Sequence, residues 1–537
     1  MSATMTESIF IISNGPKVPK EARTTIRKQA MREVGLARKR RGGNGRINLR
    51  QPCGEVDLRQ GVQHADSLEG SIPFRSAVGM TLSRSSSTTL TSRSNSRAPA
   101  VRTPNTSQSS TVDWDEFVDA VPREDVADDY ANVQSTMSCN LVPRGLSPVP
   151  DYERARSKFG IDLMSLSILT NFNVGKSTIA ILSADPTRLA SLLNLAQWSY
   201  LEYVPERYGI SECLTAATNC LLAKVHTVLA PKEECYAICN LLYGKALRSL
   251  QDAIACDSSA MDADVLCATQ LLSLHELLDP SRDTAWSHHV QGSARLVRHR
   301  SPTRFHSDFE RALFAAHVGG IVSECLVNNT HCYLEQPEWI GLYTSLTIES
   351  NFLSERSPLA ISLRVTMFKL PGIWHDVGEA VNGSEFYSDW PLAALEARCR
   401  KAHKELLAWL EQYKAHCVRL SLAQPPASEL SLRRELFGSA LECLAIVKRL
   451  LCTVCESDRR NLEVETQALA HLILDLQKQP SPKHSWLFSG HEVGVAYTVL
   501  LTKDQWEENV DRRDAHDKKV ATKTRYNTWS NTLRMTG

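Results

Sequence analysis

The sequence predicts an all-α protein, in which a multi-helix globular domain follows a disordered N-terminal region that contains a short basic helix. Three observations indicate this class. From about residue 151 to 505, apolar residues recur at intervals of three and four, and strand-like alternation is scarce. Residues 65–150, in contrast, are dominated by Ser, Thr, Arg and Pro. A hydrophobic content of 42% in 537 residues is enough to form a large core.

Residues 1–50 form a basic segment that differs in charge from the rest of the chain. They hold 12 Lys/Arg and 3 Asp/Glu, which leaves 49 and 57 for residues 51–537, so a segment of charge +9 precedes a remainder of charge −8. Within residues 20–41, small and aliphatic residues recur at helical spacing between basic ones, which predicts a short amphipathic helix. The apolar positions are Ala22, Ile26, Ala30, Val34 and Ala37.

The basic side chains of this helix are candidate contacts for a nuclear import receptor and for DNA phosphates. Clustered Lys and Arg are attracted to acidic receptor grooves and to phosphates, and two basic groups separated by a short spacer approximate a bipartite nuclear localisation signal. The nucleus is therefore the predicted location. A solvated basic arm that no partner recognises is the alternative. The candidate residues are Arg27, Lys28, Arg32, Arg38, Lys39, Arg40 and Arg41.

Residues 51–150 are predicted to be a disordered, Ser/Thr-rich linker, because their composition cannot bury a core. An acidic segment within it carries Trp114, Phe117 and Val121 among aspartates and glutamates. Acidic neighbours keep such apolar side chains solvated until a partner groove binds them, which is the composition of an activation segment. A linker with an accidental pair of aromatic residues is the alternative.

Residues 151–505 are predicted to fold as one helical array, and residues 506–537 as a loose polar tail. No run of 18 or more uncharged apolar residues and no signal peptide occurs, so we expect a soluble, intracellular protein without a membrane partner. Most cysteines lie inside apolar runs, as core-filling thiols do. The helical runs are 189–195, 241–250, 265–278, 309–327, 392–413, 430–454 and 462–476.

Three patterns in this body could carry chemistry, and none predicts an enzyme, a metal or a cofactor. Asn173–Thr178 looks like the end of a phosphate-binding loop, but Thr170 occupies the position of its first glycine, so a polar turn that starts a helix is expected instead. The histidines around 275–299 lack metal-ligand spacing, because adjacent helical residues point about 100° apart. The cysteine pairs at 235/239 and 452/455 stand alone within helical runs, which indicates core packing.

The helical body contains several stretches that resemble one protein family. They are Tyr203-Val204-Pro205-Glu206-Arg207-Tyr208-Gly209, Lys245-Ala246-Leu247-Arg248-Ser249-Leu250-Gln251, Leu266-Cys267-Ala268-Thr269-Gln270-Leu271-Leu272, the run from Trp286 through His289, Gly292, Ala294 and Leu296 to Arg300, Phe309-Glu310, and Cys332-Tyr333-Leu334-Glu335. Together they resemble the regulatory region of fungal-specific transcription factors, the helical domain that usually accompanies a Zn₂Cys₆ DNA-binding cluster. The N-terminal opening from Phe10 to Pro16 is similar to a subset of these proteins.

This chain departs from the family pattern because Cys53 is the only cysteine before Cys139, so the zinc cluster is absent. The resemblance implies a nuclear transcription regulator of fungal type, which would control a gene cluster such as one for secondary-metabolite biosynthesis. The expected partners are DNA, the transcription machinery or co-regulators, and an import receptor. Without the cluster, sequence specificity would come from a partner or a dimer. The alternatives are a nuclear adaptor that does not bind DNA, and a helical enzyme or small-molecule-binding protein.

Overall fold

The computed structural model describes residues 150–536, apart from 194, 257–258, 280–284, 384–391, 420–426, 456, 480–488 and 508–514. Within these residues every regular element is an α-helix or a short 3₁₀ helix, which confirms the predicted all-α class. The basic segment 1–50 and the acidic segment around Trp114 lie outside the described part, and their predicted structure stays a prediction.

The first half of the described chain contains nine α-helices and three 3₁₀ helices. The α-helices are α1 (Pro150–Phe159), α2 (Lys176–Ala184), α3 (Arg188–Leu192), α4 (Val204–Arg207), α5 (Glu212–Leu229), α6 (Glu233–Ala255), α7 (Ala263–Leu277), α8 (Ala285–Arg300) and α9 (Asp308–Asn328). The 3₁₀ helices are Leu163–Thr170, Tyr200–Tyr203 and Pro302–Arg304.

The second half begins with the 3₁₀ helix Tyr333–Glu335 and contains longer α-helices. They are α10 (Pro337–Thr344), α11 (Pro358–Asn382), α12 (Leu392–Arg419), α13 (Ala427–Val454), α14 (Arg459–Lys478), α15 (Gly490–Leu501), α16 (Lys503–Glu507) and α17 (Ala515–Thr536). In the described helices, no segment is long and apolar enough to cross a membrane.

Local sequence signals explain where the helices start and stop. At the start of α9, the Ser307 hydroxyl accepts a hydrogen bond from the Glu310 amide while the Glu310 carboxylate accepts one from the Ser307 amide, which forms a capping box. The same helix ends at Asn328, and the left-handed backbone of the next residue, Asn329 (φ 52°), turns the chain away. Both α10 and α11 begin with proline, whose missing N–H is not needed in the first helical turn.

Helix α13 forms the centre of the second half. It packs against α11, α12, α14 and α15, and every residue from 431 to 452 is buried. In the first half, α5 packs against α6 and α7, and the short 230–232 link makes α5 and α6 an antiparallel hairpin.

Thirteen cysteines belong to the described residues, and all of them are free thiols. Ten are buried, among them Cys267 and Cys443 with no exposed surface. The expectation that most of the cysteines fill the core is confirmed for these positions.

The C-terminal segment differs from its prediction. A loose polar tail was expected after Trp506, but Ala515–Thr536 form a helix that packs on α15 and α11. Tyr526 and Trp529 are almost completely buried, and the ring of Trp529 lies 4.6 Å from that of Trp374. The loose tail is therefore wrong for these residues, because a narrow apolar stripe of large aromatic side chains is enough to anchor an otherwise polar helix.

Candidate functional site

The functional residues predicted from the sequence all lie outside the described residues. This holds for Arg27, Lys28, Arg32, Arg38, Lys39, Arg40 and Arg41, and equally for Trp114, Phe117 and Val121. Their roles remain predictions. A candidate site in the described part therefore has to be built from residues that sequence reasoning did not single out.

The phosphate-loop-like motif Asn173–Thr178 starts a helix, as expected. Gly175 is the N-cap of α2, and the preceding element is the 3₁₀ helix Leu163–Thr170 rather than a strand. The Lys176 ammonium lies 3.8 Å from the carboxylate of Glu324. An acidic neighbour at this position would repel a phosphate, so the geometry does not favour nucleotide binding.

The histidines of the 275–299 region do not converge. His275 stacks on Tyr243 at 4.7 Å between ring centroids, while His288 and His299 are exposed on α8. Burial lowers the pKa of His289 to about 4, so this ring is neutral at physiological pH. In the described structure, no three of these residues bring ligand atoms together.

A cavity of about 520 Å³ lies at the junction of four chain regions. Its walls come from the end of the first 3₁₀ helix, from the extended segment before Tyr200, from the loop between α10 and α11, and from the first turns of α13. This volume lies in the range of about 300–1,000 Å³ that small-molecule sites occupy. The apolar lining residues are Ile168, Leu195, Trp198, Ile348, Leu353 and Leu432.

A hydrogen-bonded polar cluster forms one wall of this cavity. The Asn171 amide lies 3.2 Å from the Gln197 side-chain oxygen, 3.1 Å from a Glu355 carboxylate oxygen and 3.4 Å from a Glu435 carboxylate oxygen. The neighbouring Asn173 amide donates to the other Glu435 oxygen at 3.0 Å. The two asparagines therefore hold the Glu435 carboxyl from both sides.

Arg364 on α11 is the cation of this cluster. Its guanidinium donates to the Glu355 backbone carbonyl at 3.0 Å, forms an ion pair with the Glu355 carboxylate and lies 3.6 Å from Glu435. The side chains of Arg364 and Glu435 are 5% and 2% exposed, so both are removed from water. Burial alone would lower the pKa of Arg364, but Glu355, Tyr343 and Glu435 together outweigh it and raise the pKa.

The cluster contains two carboxyl groups but a single arginine, and this imbalance affects the protonation of Glu435. Burial raises the pKa of Glu435 well above its usual range, and repulsion from Glu355 adds to the effect. The Arg364–Glu355 ion pair is therefore accompanied by a Glu435 that keeps its proton to higher pH than an exposed glutamate does. A neutral carboxylic acid can donate as well as accept a hydrogen bond, which an ionised one cannot.

Two further groups shape the cavity. The buried Ser431 hydroxyl has no hydrogen-bond partner in the described structure, although it lines the space. Arg356 lies over the ring of Trp198, with 4.3 Å between its guanidinium carbon and the ring centroid, and both side chains line the cavity. An apolar ligand with one hydrogen-bonding group fits this arrangement, because a ligand would satisfy the serine hydroxyl that is otherwise left unpaired.

Sequence reasoning could not find this site, because its members are far apart in the chain. Asn171 and Glu435 are separated by 264 residues. The available signal was weak: polar residues interrupt the apolar pattern of α13 at Ser431 and Glu435, on a helix that the structure buries on all sides. A polar residue at a buried position indicates that its side chain is hydrogen-bonded, but the sequence does not show which residue is the partner.

Comparison with known proteins leaves the family open. No protein-family profile matches the chain, and no solved structure matches it. Over 184 residues the chain is 25% identical to a protein of Emericella nidulans that is described as uncharacterised. The match covers 33% of this chain and 38% of that protein, so the chain spans about two fifths of its relative.

Proposed function

We propose that the protein is a nuclear transcription regulator of fungal type, which controls a gene cluster such as one for secondary-metabolite biosynthesis. The observation that carries the proposal is the charge segregation along the chain, in which a segment of charge +9 precedes a helical body and linker of charge −8. The all-helical body and the similarity to a fungal protein are consistent with it. The proposal assigns no catalytic step to the protein.

The basic segment would act through phosphates rather than bases. Lys and Arg on an irregular or helical arm neutralise DNA phosphates and release counterions, which gives affinity that falls steeply with salt and depends little on sequence. Specificity then comes from a partner protein or a dimer. The segment with Trp114, Phe117 and Val121 would contact the transcription machinery or co-regulators, and the basic helix would also bind the import receptor.

Removing residues 1–50 is expected to abolish DNA binding by the purified protein. Fluorescence anisotropy with mixed genomic fragments measures this across a salt series from 50 to 200 mM. If six to ten phosphates are contacted, the affinity of the full chain falls by about 10³–10⁵ over this range. The matched variant replaces Arg38, Lys39, Arg40 and Arg41 with alanine and keeps the chain length unchanged.

Either outcome of this measurement is informative. Binding that the deletion removes, and that the four-alanine variant weakens, supports a direct regulator. A full chain that does not bind DNA at 50 mM salt overturns direct contact, and then a nuclear adaptor is the better account. In that case the four-alanine variant should still lose its nuclear location.

The cavity favours a second, compatible role, the binding of a small molecule by the helical body. The supporting observation is the unpaired Ser431 hydroxyl beside apolar walls and a buried ion pair. A ligand there would contact the 3₁₀ segment, the α10–α11 loop and α13 at once, and would stabilise their arrangement by mass action.

Placing tryptophan at Ser428 is expected to block the cavity. Ser428 is exposed on the rim of the lining, so the larger side chain can occupy the opening without entering the core. The dye 8-anilinonaphthalene-1-sulfonate, which is apolar with one anionic group, is the test ligand. We expect one dye site per folded chain, with affinity at least about tenfold weaker in Ser428→Trp. Ser362→Trp, on an exposed position of α11, is the control, and equal loss in both variants would contradict a site in the cavity.

A further inference from the structure

A cluster of two histidines and an aspartate lies away from the cavity, where the chain leaves α9 and approaches α11. Among the described residues it is the one group of three His, Cys, Asp or Glu side chains whose ligand atoms all lie within 4.8 Å of one another. Its members are His331, His375 and Asp376. His331 follows the left-handed turn at Asn329, and the other two are consecutive on α11.

The His375 ring is held in the tautomer that a metal ligand needs. Its Nδ1 lies 2.8 Å from the backbone carbonyl of Asn329. A carbonyl can only accept, so Nδ1 carries the hydrogen and the lone pair is on Nε2. A histidine that donates its second N–H to a backbone carbonyl is the usual outer-shell arrangement of metal-binding histidines.

The Asp376 carboxylate is also held in place by neighbouring side chains. One carboxylate oxygen forms an ion pair with Arg398, whose guanidinium also lies 3.4 Å from Glu335. The other oxygen lies 3.1 Å from Nε2 of His331. Two carboxylates and one arginine leave the cluster with a net negative charge when the histidines are neutral, which favours a cation.

The three residues can converge with little movement. Ligand atoms on a tetrahedral ion with bonds of about 2.0–2.1 Å lie about 3.3 Å apart. The His331–Asp376 distance already matches this value, and the rings of His331 and His375 are 4.5 Å apart between centroids. The His331 side chain is 57% exposed, so much of its ring faces solvent rather than packed side chains.

Gly372 allows the loop that carries His331 to lie close to α11. A Cβ at position 372 on α11 would lie 3.3 Å from Nδ1 of His331 and 2.5 Å from a carboxylate oxygen of Glu335. The loop that carries His331 therefore lies directly on the bare backbone of Gly372, one turn before His375. His375 and Asp376 are consecutive helical residues, so their side chains point about 100° apart. His331 lies close to both, and the ligand atoms of the three residues all lie within 4.8 Å of one another.

We propose that His331, His375 and Asp376 form a binding site for a divalent transition-metal ion of the Zn²⁺ type. Imidazole nitrogens and a carboxylate are ligands that suit this ion, and three protein ligands leave the fourth tetrahedral position for water or an anion. The site would fasten the α9–α11 connection to α11. It is independent of the proposed transcriptional role, and it differs from the sequence expectation of no metal because its ligands are 44 residues apart in the chain.

The test is a Zn²⁺ titration of the full chain after chelator treatment, followed by isothermal calorimetry, with Co²⁺ as a spectroscopic substitute. We expect one saturable site that is weakened at least about tenfold in His331→Ala and in Asp376→Asn. His331 is exposed, and Asn has the shape of Asp, so both variants should fold. His299→Ala, an exposed histidine on α8, should bind as the original chain does.

The Co²⁺ spectrum separates this site from the cysteines. Nitrogen and oxygen ligands give d–d bands without the intense thiolate-to-cobalt charge-transfer band that cysteine ligation produces. A titration without saturation, a site that survives His331→Ala, or a spectrum dominated by thiolate would each overturn the proposal, and His331 would then be only a hydrogen-bond partner of Asp376.

Discussion

Replacing Gly319 with alanine is expected to destabilise the helical body by about 3 kcal/mol or more, at the upper end of the cost of overpacking. A Cβ at this position of α9 would lie 1.8 Å from the backbone oxygen of Phe172 and 2.7 Å from its carbonyl carbon. Backbone atoms cannot rotate away as a side-chain tip does, so α9 and the segment around Phe172 would have to separate. The free energy of unfolding in urea measures the effect.

The same change should also disturb the cavity, because Asn171 and Asn173 flank Phe172 and hold the Glu435 carboxyl. The matched control is Gly292→Ala in the interior of α8, where a Cβ would meet nothing within 4 Å. That change should stabilise the protein by about 0.5–1 kcal/mol, since alanine favours helices over glycine. Equal stability of Gly319→Ala and the original protein would show that the close contact between α9 and Phe172 does not exist in solution.

Replacing Arg364 with methionine is expected to cost about 3–5 kcal/mol, because it leaves buried carboxyl groups without their cation. Arg364 contacts both Glu355 and Glu435, and the side chain is nearly inaccessible to water. Arg188→Met is the control, since Arg188 and Asp185 form an exposed pair on the surface at 3.2 Å. Water screens such an exposed pair, so its loss should change stability little. Chemical unfolding of both variants at pH 7 gives the comparison, and similar losses in the two would refute the buried ion pair.

The pH dependence of Glu435→Gln tests the protonation of the same cluster. Burial and then Glu355 raise the pKa of Glu435 in the folded protein, so the unfolded chain loses this proton at lower pH than the folded one. The stabilisation from the bound proton is complete below the ordinary pKa and is lost as pH rises, by up to about 1.4 kcal/mol per pH unit.

Glutamine does not titrate, so the stability difference between the Gln variant and the original protein follows the titration of Glu435. At pH 4 the Gln variant should be less stable by about 1 kcal/mol, because its NH₂ group faces an asparagine donor. That difference should shrink and then reverse as pH rises toward 8. A constant difference across the pH range would mean that folding does not raise the pKa of Glu435.

Most helical segments were predictable, because a helix imposes its own period on the sequence. The runs 265–278, 309–327 and 430–454 correspond closely to α7, α9 and α13. The run 189–195 is the exception, since α3 ends at Leu192 and the chain then extends along the cavity wall. Propensity and periodicity could not detect that end, because tertiary contacts decide it.

Helix α17 was missed although a signal was present. Tyr526, Trp529 and Leu533 recur at intervals of three and four and are the buried stripe of that helix. The surrounding polar composition concealed it. Three apolar anchors are a weak pattern in a sequence, but they are sufficient once Trp374 and Trp506 provide aromatic surfaces to pack on.

The sequence by itself determined the helical class, the charge division between the N-terminal segment and the body, and the burial of most cysteines, because each depends on composition or on short-range period. Only the tertiary structure decided which distant residues meet. It placed Asn171 beside Glu435 and His331 beside Asp376, and it paired Arg364 with Glu355. The physical reason is that buried polar groups must find partners wherever packing brings them, and the packing of helices is not encoded at a fixed spacing along the chain.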